Sequence, residues 1–212
     1  MTAAPTPHPK PPEDGPGKRE RAKAANRQAI LDAAKTVFAE LGYEITTVRD
    51  IIRRTDLASG TFYNYFKSKD EIVEALADDG VRRFRPLLAQ VRQNAETFED
   101  YVEAALRLHF QFLFDENCEV IAKSGHANVL MSARTDTPEM RAIFNEVRAD
   151  IDAVIARGDG FADIDADYFT AAAMGVAREV GDRMLQRSPV DVDGATRFAC
   201  ALLFSGVGAT KR

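Results

Sequence analysis

The sequence predicts an all-α protein, and three observations carry that expectation. Helix-favouring Ala, Leu, Arg and Glu are abundant and Trp is absent. No stretch alternates strictly between apolar and polar residues, as a half-buried strand would. Capping residues instead precede apolar stripes at helical spacing, again and again along the chain. At 212 residues the chain can bury a sizeable core.

The elements follow in order. Residues 1–17, MTAAPTPHPKPPEDGPG, are Pro-rich, lack the apolar run of a signal peptide and read as a disordered tail. A basic run, Lys18–Arg27, leads into a helix over Ala22–Leu41, where Ile30, Ala34, Val37, Phe38 and Leu41 form one stripe. Gly42 should stop it. Thr47 and Asp50 form a capping box for a short helix buried through Val48, Ile51 and Ile52. A turn over Thr55–Ala58 leads to a helix of about two turns, Ser59–Phe66. Ser68 and Glu71 then cap a long helix reaching about Gln93, in which Pro86 predicts a kink or break near Phe84.

Five further tracts complete the chain. Thr97 and Asp100 open one that runs to about Phe114, and Asn117–Met131 is the next. Thr137, Pro138 and Glu139 supply a cap, a first-turn proline and an early acid for a helix to about Arg157. Asp165–Arg187 and Asp191–Gly206 follow. The expected organisation is a tail over 1–17, a head over 18–76 and a helical body over 77–212, with the boundary inside the long helix.

The formal net charge is −5, but it is unevenly spread. Lys18–Lys69 carries 11 Lys and Arg against 6 Asp and Glu, a net of +5, while Asp70–Arg212 carries 16 against 25, a net of −9. A basic head on an acidic body turns one end towards a polyanion. No window approaches the roughly 20 apolar residues of a membrane span. Cys118 and Cys200 lie far apart, match no metal spacing and suit a reducing, cytoplasmic compartment. Neither a metal nor a cofactor is expected. An enzyme is disfavoured too: there is no Gly-rich phosphate loop, no nucleophile elbow and only three His, one of them in the tail.

Ser59–Phe66 is the most informative element. At about 100° per residue Phe62 and Phe66 point one way, towards a small core with Phe38, Ile51 and Leu57. Gly60, Thr61, Asn64 and Tyr65 point the other way, with Tyr63 on the margin. So short a helix persists only if the two rings anchor it. Its outer face then offers hydroxyls and an amide to phosphates or base edges, and Gly60 lets a surface approach the backbone.

The run TTVRDIIRRTDLASGTFYNYFKSKDEI resembles the helix-turn-helix signature of the TetR/AcrR family of bacterial transcriptional regulators. Ser59, Gly60, Thr61, Phe62, Tyr63, Tyr65, Phe66 and Lys69 match its core, and the likeness covers about Gln28–Leu76. The resemblance implies a homodimer that binds duplex DNA. Thr47 and Arg49 would face a phosphate, and Ser59, Gly60 and Thr61 would enter the major groove. Tyr63 and Tyr65 would hold phosphates, Asn64 would lie at the margin, and Lys69 would hold a phosphate from the next helix. Asp56 stands where Gly usually makes the turn, and Ala58 where a capping Ser or Thr is usual, a loss of about 1 kcal/mol.

In the body, Leu106–Phe114 is apolar almost all round, which fits either a solid core or the wall of an effector cavity of the kind the resemblance implies. His109, Phe110, Phe112, His126 and Tyr168 are the candidate contacts for an apolar or aromatic small molecule. Small and apolar stripes on the last two helices (Ala172 and Gly175; Phe198, Ala201, Leu202 and Ser205) suit either a four-helix interface between identical subunits or the monomer core. The expected function is a sequence-specific transcriptional regulator, most simply a repressor released from a palindromic operator by an effector. An activator, a non-specific DNA coat protein and a helical enzyme are the competing readings.

Overall fold

The computed structural model describes residues 17–124, 137–156 and 164–210, and all regular structure among them is helical. In chain order these are α1 (Lys18–Leu41), α2 (Val48–Arg54), α3 (Ser59–Phe62), α4 (Lys69–Asn94), α5 (Phe98–Ser124), α6 (Pro138–Ile155), α7 (Ala166–Leu185) and α8 (Val192–Thr210). The Pro-rich tail up to residue 16 and His126 lie outside the described residues.

The head is built from α1, α2, α3 and the first turns of α4. Gly42 ends α1 at φ +80°, a value an L side chain rarely adopts. Thr47 and Asp50 close the expected capping box on α2. Ile30, Ala34, Val37, Phe38, Ile51, Phe62, Phe66, Ile72 and Leu76 form one buried cluster, with Leu57 packed against it. The α-helical part of the Ser59 segment is shorter than the spacing suggests and stops at Phe62. Beyond it the chain tightens: the amides of Asn64 and Tyr65 donate three residues back, to Thr61 (3.2 Å) and Phe62 (2.9 Å). Ala58 provides no side-chain cap, and Asp56 makes the turn without a positive φ.

Two body expectations need correction. The tract expected to end at Phe114 continues unbroken to Ser124. The polar run Asp115–Asn117 is not a break, because Asn117 is buried and its side-chain amide donates to the Leu113 carbonyl at 2.8 Å. The rest of the expected Asn117–Met131 helix lies outside the described residues. Pro86, second, does not break α4, so of the expected kink or break the break is excluded. Contacts on both sides of it hold the helix: Val81 and Leu88 share a buried cluster with Ile143, and Arg83 and Arg85 pair with Glu116 and Glu146.

The main core joins α5, α6, α7 and α8 through Phe98, Tyr101, Phe110, Leu113, Ile151, Val154, Phe169, Met184, Ala199 and Leu203. Gly181 sets the approach of α7 to α5, since a methyl there would lie 2.6 Å from Leu113 Cδ1. Asp150 is buried in this layer, where it accepts from the Tyr101 hydroxyl at 3.0 Å and pairs with Arg92 at 2.5 Å. No described helix is long and apolar enough to cross a membrane.

Candidate nucleic-acid interface and ligand cavity

The turn before α3 and the two buried rings determine which side chains face outwards. Phe62 and Phe66 are buried, whereas Ser59, Gly60, Tyr63 and Asn64 are exposed and Thr61 and Tyr65 are half-buried. Space beside Gly60 is open, with no atom within 4 Å of where a methyl would stand. Tyr65 is steadied from α1, whose Asn26 side-chain amide donates to its hydroxyl at 3.3 Å. Sequence spacing does not reveal that tether, because 39 residues separate the pair. Thr47 and Arg49 are exposed at the start of α2. The Thr47 hydroxyl donates to the Asp50 carboxylate at 2.6 Å, and these Thr47 hydrogen bonds hold that carboxylate below its ordinary pKa.

Lys69 has a different setting from the one its position suggests. Its ammonium donates to the carbonyls of Tyr43 (2.8 Å), Glu44 (3.3 Å) and Thr46 (3.3 Å), and lies 4.2 Å from the Tyr43 ring centroid. Three protons therefore point at three carbonyls, and the residue fastens α4 to the loop between α1 and α2. The exposed basic stretch that opens α1 (Lys18, Arg19, Arg21 and Lys23) lies beyond this unit.

The body holds a cavity of about 620 Å³. Phe84 and Leu88 of α4, His109 and Phe112 of α5, Ile143 and Val147 of α6, and Phe169 of α7 are among its walls. Two expected contacts are misplaced. Phe110 is fully buried in the main core, beside Gly181, and does not line the cavity. Tyr168 is 77% exposed, on the side of α7 that carries Ala172. The walls from α4 and α6 were not singled out from sequence, although Met140, Ile143, Phe144, Val147 and Ile151 make a stripe that spacing alone reveals.

Between cavity and head lies a three-helix ionic joint. Glu116 of α5 accepts from Arg83 of α4 (2.8 Å for one of the two bonds) and pairs with Lys35 of α1 at 3.6 Å. The Arg83 guanidinium, first of all by its hydrogen bonds, holds the Glu116 carboxyl below the usual range. Arg83 also stacks over Phe112, 5.6 Å from the ring centroid, so a cavity wall touches the joint directly.

On α7 and α8, Ala172, Phe198, Ala201, Leu202 and Ser205 are exposed, and Gly175, which also lines the cavity, is half-buried. Phe198 is 61% exposed and Leu202 49%. With Tyr168 they leave an apolar face on α7 and α8 uncovered in the single chain.

Comparison with known proteins agrees with this architecture. Residues 30–76 match the family model described as bacterial regulatory proteins, tetR family. The HTH-type transcriptional repressor KstR2 of Rhodococcus jostii is 38% identical over 84 residues, 38% of this chain and 41% of that protein. The fatty acid metabolism regulator protein of Bacillus subtilis is 28% identical over 119 residues, 56% and 58% of the two chains. The chain thus spans between two fifths and three fifths of the length of these curated relatives. The crystal structure of FadR from Bacillus subtilis in complex with stearoyl-CoA shares the fold, with a TM-score of 0.68 at 21% identity over 84% of this chain and 98% of that one. The tetR-family match covers the head, and the likeness to the solved structure shows that head and body together share its fold.

Proposed function

We propose that the protein is a sequence-specific, DNA-binding transcriptional regulator, a repressor that leaves a palindromic operator when a small molecule fills the body cavity. The observation that carries the reading is the exposed face of the α3 segment. Two buried phenyl rings fix it, and it presents Ser59, Gly60, Tyr63 and Asn64 outwards. Ser59, Gly60 and Thr61 enter the major groove, while Thr47, Arg49, Tyr63 and Tyr65 meet phosphates and Asn64 flanks them. Lys69 shapes this surface from behind. The basic start of α1 adds backbone attraction.

A homodimer carries two heads to successive major-groove faces, about 34 Å apart. The uncovered stripe on α7 and α8 supplies its four-helix interface. Filling the cavity moves Phe112 against Arg83 and so strains the Glu116 joint to α1. That shifts the population of head positions away from operator spacing. The Bacillus subtilis FadR structure, in complex with stearoyl-CoA, gives a precedent for ligand binding by a regulator of this fold. The effector expected here is apolar or aromatic, and the protein acts in the cytoplasm.

The test begins with genomic fragments selected by the full-length protein. Binding of the recovered operator is measured by fluorescence anisotropy against random duplex at fixed salt. A preference of roughly 10³-fold or more is expected. Equal affinity for both duplexes would leave a non-specific coat protein.

A further inference from the structure

Among the described residues, His109 Nε2 is the single buried side-chain nitrogen or oxygen atom without a hydrogen-bond partner. Its surroundings are aromatic. The ring meets Phe84 edge-on at 5.9 Å between centroids and Phe110 at 5.8 Å, and Phe84 in turn meets Phe112 at 5.4 Å. Leaving a buried polar atom unsatisfied is costly, and an apolar ring of the same shape would avoid that cost. Burial alone holds the imidazole pKa down at about 4, with no charged group contributing, so the ring is neutral at physiological pH.

We propose that His109 is the polar anchor of the cavity and that the effector carries a neutral hydroxyl or carbonyl on an apolar or aromatic body. The inference rests on the reading of this cavity as the effector site. Phe84 and Phe112 flank the ligand body, Ile143 and Val147 face it from α6, and rotation of the Phe84 ring opens the way to Nε2. A neutral imidazole has one N–H and one bare nitrogen, so by choice of tautomer it donates to a carbonyl or accepts from a hydroxyl. No charged group contributes to the His109 shift, so a neutral oxygen suits this corner, while Arg141 and Arg178 are the cations among the other cavity walls.

A matched pair of probes, naphthalene and 2-naphthol, isolates the contribution of one oxygen. Their own fluorescence reports binding to the full-length protein, and the absence of Trp keeps the background low. The wild type is expected to bind 2-naphthol about tenfold more tightly than naphthalene, the worth of one hydrogen bond. His109→Phe should erase that preference while keeping naphthalene affinity, and His109→Gln should retain part of it. His109→Phe should also melt at or above the wild-type temperature, because it removes an unsatisfied nitrogen. If both probes bind and the wild type shows no preference, or the preference survives His109→Phe, the assignment to His109 is overturned and the cavity stands as an effector site. Binding of neither probe overturns the cavity reading together with the anchor.

Discussion

An alanine methyl at position 60 would point into open space, so nothing inside the protein requires glycine there. On the proposed DNA-binding reading, the demand comes from the duplex that approaches α3 from outside. Gly60→Ala should therefore leave the melting temperature unchanged or slightly raised, since alanine favours a helix by about 0.5–1 kcal/mol. Operator affinity should fall at least tenfold in an anisotropy titration, and unchanged affinity would mean that the duplex does not come close at this position. Tyr63→Phe tests the neighbouring hydroxyl. It should weaken every duplex by a similar factor, as the loss of a phosphate contact does. Lys69→Ala belongs to a different kind of experiment. Its ammonium binds three carbonyls of the loop after α1, so thermal unfolding should register a loss of about 1–2 kcal/mol. The inward turn of Phe62 and Phe66 was legible from spacing, and with it the outward Gly60 and Asn64, but Tyr63, expected on the margin, is exposed, while Thr61 and Tyr65, expected outside, are half-buried. The engagement of Lys69 and the Asn26 tether on Tyr65 were not legible, as each joins residues more than 20 positions apart.

At the scale of elements, α3 is the least self-sufficient part of the fold. It has one α-helical turn and no side-chain cap. Phe62→Ala should cost about 3–5 kcal/mol by cavity formation and release the segment from the head, with operator binding lost in step. Local rules placed the caps well: Gly42, Thr47, Ser68 and Thr137 all act where spacing and chemistry put them. Those rules failed where tertiary contacts override them. Asp115–Asn117 reads as a break until Arg83 and Lys35 are found to hold Glu116, and the Leu113 carbonyl to accept from Asn117. Pro86 reads as a break until the anchors on both sides of it are seen. Phe110 and Phe112, two positions apart, could not be sorted between core and cavity without knowing where α7 packs. Gly181 decides that packing. Gly181→Ala should push α7 off Leu113 at a cost of about 1–3 kcal/mol, visible as a lower melting temperature.

At the scale of the whole molecule, the ionic joint gives stability a pH dependence of definite sign. The folded Glu116 carboxyl titrates below its unfolded value because Arg83 hydrogen-bonds its charged form. Its contribution is therefore complete above the ordinary glutamate pKa of about 4.3 and is lost as pH falls through the lower, folded value. Acidification from about pH 5 downwards should depress the wild-type melting temperature more than that of Glu116→Gln. The uncovered stripe makes a second prediction at this scale. Phe198→Glu should turn a dimer into a monomer by sedimentation velocity and abolish cooperative operator binding, with helical content unchanged by circular dichroism.

One unbroken helix serves both the head and the cavity. The 26 residues of α4 make a rod about 39 Å long, so a tilt of about 5° displaces its far tip by roughly 3 Å. That excursion exceeds the tolerance of a hydrogen bond to a phosphate oxygen. On the proposed function, a lever of this kind needs no unfolding and no large rearrangement to release its grip on a duplex. A nudge at Phe84, near its middle, is amplified along a stiff arm into a misfit at the tip.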